Sequence, residues 1–256
     1  MRLLLTNDDG VYAPGIAELR RVLSQHDDLE VSTVAPERER SAMSHAITLH
    51  KPLHIKSVEI AGGRGPVWSV NGTPADCTKL GVLALMEDKP DLIISGINRG
   101  ANLGMDILYS GTVSAAIEGY LMNIPSLAVS LDTHDEKADF QPAAEFIVRL
   151  IRILEKHGMP EQMLLNINIP DLPEDKRSGV RVTRMGMRYY KSKLVARQDP
   201  LGRTYYWLAG EVYQRESEPE TDVGALQRGY ISITPIHFQL TDESMMQKLQ
   251  SWTKLL

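Results

Sequence analysis

Two periodicities alternate along the first two thirds of the chain. Residues 3–5 (Leu-Leu-Leu) and 91–95 (DLIIS) are short apolar runs bounded by polar turn residues, the pattern of strands buried on both faces. Residues 29–35 (LEVSTVA), 126–131 and 163–169 (MLLNINI) also read as strands. Between them the period lengthens to that of helices. Residues 14–25 place Ile16, Leu19 and Val22/Leu23 on one stripe behind Pro14, a residue suited to a first helical turn. Residues 74–86 follow Thr73 as a natural N-cap. A helix begins with small residues after Ser110-Gly111-Thr112, and residues 138–157 carry Phe146, Leu150 and Leu154 on one face. Strand, helix and strand in succession imply right-handed parallel units. The expected fold is α/β: a Rossmann-like, mostly parallel sheet flanked by helices.

Residues 47–55 and 67–70 read as short strands, a hairpin closed around Gly62, Gly63 and Gly65. After Pro170 the texture changes. Residues 180–185 alternate like a strand, but residues 186–228 are aromatic, charged and poor in core-type runs, with a turn at Asp199-Pro200-Leu201-Gly202 and a strand at 205–208. A β-arm with exposed Tyr and Trp is a candidate protein–protein contact; a small β-subdomain folded back on its own chain is the alternative. Residues 229–238 return to strand pattern, and residues 242–252 form a final helix. The expected organisation is a Rossmann-like core over residues 1–178 and a C-terminal β-rich extension over 179–256.

Composition narrows the function classes. At 256 residues with 43% hydrophobic content, the chain can bury a proper core. A net charge of −5 with both signs interspersed argues against a general nucleic-acid surface, though not against a small phosphorylated substrate. The single Cys77 excludes an internal disulfide and a cysteine-rich zinc site. Neither a signal peptide nor a membrane span is legible, so a cytoplasmic location is expected.

Chemistry concentrates where strands end. Asp8 and Asp9 follow the first strand, and adjacent carboxylates there repel each other at a desolvated position. A divalent cation relieves that cost; Asp-Asp-Gly is equally ordinary turn chemistry. In a doubly wound sheet ligands bind outside the carboxyl ends of the strands, where strand order reverses, and the first strand and residues 91–95 are the candidates to flank that point. The loop after Pro36, PERERSAMSHAITL, would bring Ser41 over the crevice, and GINRGANLG would bring Asn98 from the other side. Two carboxylates, a hydroxyl and an amide form an all-oxygen set suited to Mg²⁺, Mn²⁺ or Ca²⁺. The helix start at Ser110, Gly111 and Thr112 is a ready anion site, with plain capping by Ser110 or Thr112 as the other reading. Asp76 reads as a helix-dipole partner, and Cys77 as packing.

The ordered motifs LLLTNDDG, APERERSAMSHAITL, NGTPADC, SGINRGANLG and YSGTVSAAIEG closely resemble the SurE family of metal-dependent 5′/3′-nucleotidases, from residue 1 to about residue 168 and more loosely beyond. The resemblance implies hydrolysis of nucleoside 5′- and 3′-monophosphates to nucleoside and phosphate. One divalent ion would be held by Asp8, Asp9, Ser41 and Asn98, with Asn102, Ser110, Gly111 and Thr112 on the phosphate side. It also implies a homodimer or homotetramer built through the C-terminal part. The mechanism expected is direct in-line attack by a metal-polarised water, with Asp8, Asp9 and Asn98 as the catalytic set. Two rivals are weaker. A haloacid-dehalogenase-type phosphatase needs a second aspartate two residues after the first, and residue 10 is Gly. A receiver-like Mg²⁺-binding module needs a phosphoacceptor aspartate after a later strand, where Gly96 and Asn98 stand instead.

Overall fold

The computed structural model describes residues 1–214 and 218–253, and the side chains of all of these except 188–192 and 210–214. The chain opens with β1 (Arg2–Thr6), α1 (Pro14–Leu23) and β2 (Glu30–Pro36), then β3 (Ile55–Ser57) and β4 (Val67–Val70). Next come α2 (Pro74–Leu80), prolonged by a π-helical turn at Gly81–Leu85, then β5 (Leu92–Arg99), a 3-10 turn at Gly104–Leu108, and α3 (Gly111–Leu121). β6 (Ser126–Asp132), α4 (Gln141–His157) and β7 (Leu164–Pro170) complete the alternating part. Beyond lie β8 (Gly179–Val182), β9 (Arg188–Gln198), β10 (Thr204–Gln214), α5 (Asp222–Gln227), β11 (Tyr230–Pro235) and α6 (Glu243–Trp252).

The main sheet has nine strands in the order β3-β4-β2-β1-β5-β6-β7-β11-β8. It is parallel from β4 to β7, with β3 antiparallel to β4 and β11 antiparallel to β7. The three leucines of β1 explain why this strand is central. Leu3 and Leu5 pack with Ile16 and Leu19 of α1 and Ile147 and Ile151 of α4 on one face, while Leu4 packs with Cys77 and Val82 on the other. All three leucines are fully buried. A side chain every second residue on each face requires both faces to be covered.

From β1 the chain moves to β2 on one side, and the later strands add on the other, beginning with β5. β1 and β5 pair in register from Leu3↔Leu92 to Thr6↔Ser95. Strand order therefore reverses between them, just beyond Thr6 and Ser95, the place where ligands bind in sheets of this kind.

The structure departs from the sequence reading in four places. Residues 47–54 are not a strand; only Ile55–Ser57 pairs, at an exposed edge. The segment is instead drawn to polar side chains, with Thr48 N–H on Asp76 Oδ1 (3.0 Å) and His54 N–H on Asn71 Oδ1 (2.8 Å). β5 does not stop at Ser95 but runs to Arg99, because β6 accepts it after a register shift, Asn98 against Ser130 and Arg99 against Leu131. α4 starts at Gln141 rather than at 138. Residues 186–228 are not all arm: a hairpin of β9 and β10 is followed by α5, capped by Thr221. The hairpin turn is held by Asp199, whose Oδ1 accepts from Leu201 and Arg203 N–H. β8 and β11 belong to the main sheet.

Candidate active site

The turn that leaves β1 is built by its own side chains. Asn7 is fully buried; its amide donates to Gly10 O (2.9 Å) and accepts from Gly10 N–H (3.2 Å). Gly10 takes a φ of +103°, where a side chain would be strained. This closed loop places Asp8 and Asp9 just past the end of β1, at the switch point.

Asp8 is 4% exposed. Its Oδ1 accepts from the Thr112 hydroxyl on the first turn of α3. Burial pushes its pKa upward, and the Thr112 hydroxyl and N–H resist the rise. The carboxylate is packed so closely that a Cβ on Gly111 would lie 2.7 Å from Asp8 Cβ and 2.8 Å from Asp8 Oδ2. Asp9 is pushed up to about 6, first by burial and then by the adjacent Asp8 charge, while the Arg99 N–H works against the rise. That N–H lies 3.4 Å from Asp9 Oδ2. Glu39 adds to the negative field felt by both.

Of the other anticipated residues, Thr112 bonds Asp8 directly, while Ser41, Asn98, Asn102 and Ser110 are bonded to other partners. Arg99, the neighbour of Asn98, touches Asp9. Asn98 donates its amide nitrogen to Gly100 O (2.7 Å). Ser41 is exposed, and its hydroxyl donates to Glu39 Oε1 (2.7 Å) rather than to either aspartate. Its neighbour Arg40 donates its backbone N–H to Asp8 O (2.7 Å), which sews the start of the loop to the acidic turn. Ser110 caps α3, its hydroxyl accepting from Val113 N–H (3.1 Å). Asn102 lies at the edge, in a buried amide network. One N–H of its side chain goes to Ser130 Oγ (2.8 Å), and its backbone O accepts from Asn166 and Asn168.

Two partners went unread in the sequence. Glu39 was one acid among many in a charged loop, and nothing in its spacing marks it as facing Asp8. Arg99 contributes through its backbone, which carries no residue-type signal.

The residues fit a hard divalent cation. Two adjacent carboxylates both raised by burial are the groups a cation would relieve. Among the described residues no cluster of three or more His, Cys, Asp and Glu side chains forms a metal-holding group. A cation here would therefore draw on neutral oxygens as well as on Asp8 and Asp9. The first turn of α3 beside them presents the positive end of the helix dipole, with its Thr112 N–H turned to Asp8 and its Val113 N–H to the Ser110 hydroxyl.

Comparison with known proteins bears on the chain as a whole. The family model described as Survival protein SurE matches residues 3–192. A protein of Symbiobacterium thermophilum named 5′-nucleotidase SurE is 52% identical over 251 residues, covering 98% of this chain and 97% of that one. A protein of the same name from Gloeobacter violaceus is 50% identical over 258 residues, at 100% and 97% coverage. The crystal structure of the SurE protein from Aquifex aeolicus superposes with a TM-score of 0.82 at 40% identity, covering 98% of this chain and 99% of that one. Matches of this extent, over the very segments that carry the acidic turn, the charged loop and the α3 start, show that the chain belongs to the SurE family.

Proposed function

We propose that this chain is a 5′-nucleotidase, a metal-dependent phosphomonoesterase that hydrolyses nucleoside 5′- and 3′-monophosphates to nucleoside and phosphate. The observation that carries the reading is the buried Asp8 clasped by Thr112, with Asp9 beside it, where β1 and β5 part. Neither rival is favoured by relatives named 5′-nucleotidase SurE.

Asp8 and Asp9 would hold one divalent ion with the Ser41 hydroxyl and the Asn98 carbonyl oxygen; Mg²⁺, Mn²⁺ and Ca²⁺ all suit such oxygens. When bound, such an ion lowers the pKa of water and neutralises charge on a phosphoryl group. The protein's own groups do the rest. Thr112 fixes Asp8 so that its free oxygen keeps one direction. Ser110, Gly111 and Thr112, at the positive end of α3, would lie on the phosphate side together with Asn102. Asp8 or Asp9 would accept the proton of the attacking water.

The same proposal extends to assembly and place. Leu194, Tyr206, Trp207 and Leu208 of the hairpin stand 63–75% exposed, which supports a homodimer or homotetramer formed through the C-terminal part. No helix among the described residues is long and apolar enough to cross a membrane, and the one cysteine, Cys77, is a buried free thiol, which suits a reducing cytoplasm. The test is phosphate release from a panel of purine, pyrimidine, ribo- and deoxyribonucleoside monophosphates with each metal. Hydrolysis of at least one 5′-monophosphate is expected. No release from any member with any metal contradicts the proposal.

A further inference from the structure

Glu118 has no part in the chemistry proposed above, yet it is one of the most enclosed charges in the protein, its side chain 5% exposed. Lys79 of α2 bonds its Oε1, and His45 Nε2 lies 2.9 Å from its Oε2. Both partners hold its carboxyl below the usual range against the opposing effect of burial. A buried carboxylate shared by two bases is normally explained by the elements it joins. Here these are α2, α3 and the loop that carries Ser41.

The start of that loop is held by Arg40, whose N–H bonds Asp8 O (2.7 Å) and whose guanidinium bonds Asn71 O (3.1 Å); past Ser41 it needs other anchors. Met43, Ile47 and Leu49 are 37%, 44% and 73% exposed, so apolar burial does not hold it down. Ala42 and Ser44 take φ values of 57° and 54°, a conformation that side-chain-bearing residues keep only when their surroundings impose it. The anchors are polar. Ser44 donates its N–H to Tyr109 O (3.1 Å) and its hydroxyl to Leu108 O (2.7 Å), and Thr48 N–H bonds Asp76. His45 is the anchor that reaches α3 itself, with Phe238 against its ring edge-on at 6.5 Å. The same helix holds Asp8 through Thr112 at its first turn. One rigid element thus grips both Asp8 and the loop bearing Ser41.

We propose that the Lys79–Glu118–His45 cluster is a positioning device: by tying His45 to α3 it fixes Ser41 relative to Asp8, so that His45 is a positioning residue for metal binding and turnover. This rests on the reading of Ser41 as a ligand. Residues that orient metal ligands cost about 10–100-fold in affinity or activity when removed.

The experiment measures Mn²⁺ binding by calorimetry, and kcat and KM for AMP, in His45→Ala, His45→Gln, Glu118→Gln and Ser41→Ala, with circular dichroism and Tm for each. His45→Ala and Glu118→Gln should each weaken Mn²⁺ binding and lower kcat by about 10-fold or more, with KM little changed. His45→Gln, whose amide N–H can replace Nε2 on Glu118, should restore most of both. Glu118→Gln keeps the test open if His45→Ala does not fold. Normal Mn²⁺ affinity and kcat in His45→Ala beside a defective Ser41→Ala would overturn the positioning role and leave the ligand reading intact. A glutamine as damaging as alanine would overturn it too. A Ser41→Ala protein that binds Mn²⁺ and turns over like the wild type would remove the ligand reading, and the positioning role with it.

Discussion

Replacing Asp9 by asparagine should make the metal-free protein more stable while abolishing its activity. In the folded protein the Asp9 carboxyl titrates near 6 instead of 3.8, because burial and then the Asp8 charge disfavour the ionised form. A raised folded-state pKa means that folding is penalised once the group must ionise. The penalty is absent below about pH 4, grows as pH rises towards 6, and is complete above it. At about 1.36 kcal/mol for each pH unit between 3.8 and about 6, the upper bound is about 3 kcal/mol. Solvent at this half-buried position screens part of it, leaving about 1–2 kcal/mol. Asparagine is nearly isosteric and carries no charge, so it escapes the penalty. In a chain of this size that corresponds to a Tm higher by roughly 2–8 °C. Thermal unfolding of wild type and Asp9→Asn in EDTA, at pH 4 and pH 8, is the assay. The gain should appear at pH 8 and vanish at pH 4. Saturating Mn²⁺ at pH 8 should then reverse the order, since at 100 times its Kd a ligand adds about 2.7 kcal/mol to the protein that binds it. A variant less stable than wild type at pH 8 in EDTA, or an equal Mn²⁺ effect on both, would refute the reasoning.

Three further outcomes follow from the same geometry. Thr112→Val keeps the shape but strips the fully buried hydroxyl from Asp8; urea unfolding should show a loss of about 1–3 kcal/mol, with a fall in kcat. Gly111→Ala puts a methyl 2.7–2.8 Å from the Asp8 side chain; the acid must shift, and steady-state assays should show kcat down by about 100-fold, since a misplacement of about 1 Å costs that much. Trp207→Asp on the exposed hairpin should shift the mass seen by light scattering towards the monomer without unfolding the core.

What the sequence disclosed about this molecule was mostly local. Thr73, Pro74 and Asp76 mark the start of α2, and they form the capping box there: Thr73 Oγ accepts from Asp76 N–H and Asp76 Oδ2 from Thr73 N–H. The Leu3–Leu5 run needs both faces covered, and α1 and α4 on one side with α2 on the other cover it. The turn chemistry of NDDG is likewise self-contained, since Asn7 closes it on Gly10. What stayed hidden was decided by partners distant in the chain. Gly96 and Asn98 read as a loop because such residues favour turns, but β6 recruits them into β5. Residues 47–54 have strand-like composition, yet the acids and amides of α2 and its approach claim their N–H groups instead. The Asp8–Thr112 contact spans 104 residues, and no local pattern encodes it. The motif order pointed to the family before any of these contacts could be named.

Metal-dependent hydrolysis at Asp8 and Asp9 is the central claim. The most direct measurement is phosphate release from AMP, by protein stripped with EDTA and dialysed, then resupplied with Mn²⁺, Mg²⁺ or Ca²⁺. Release should be lost on stripping and restored by at least one of these ions in the wild type, but not in Asp8→Asn or Asp9→Asn. Undiminished release in EDTA, or full activity in either variant, would contradict it.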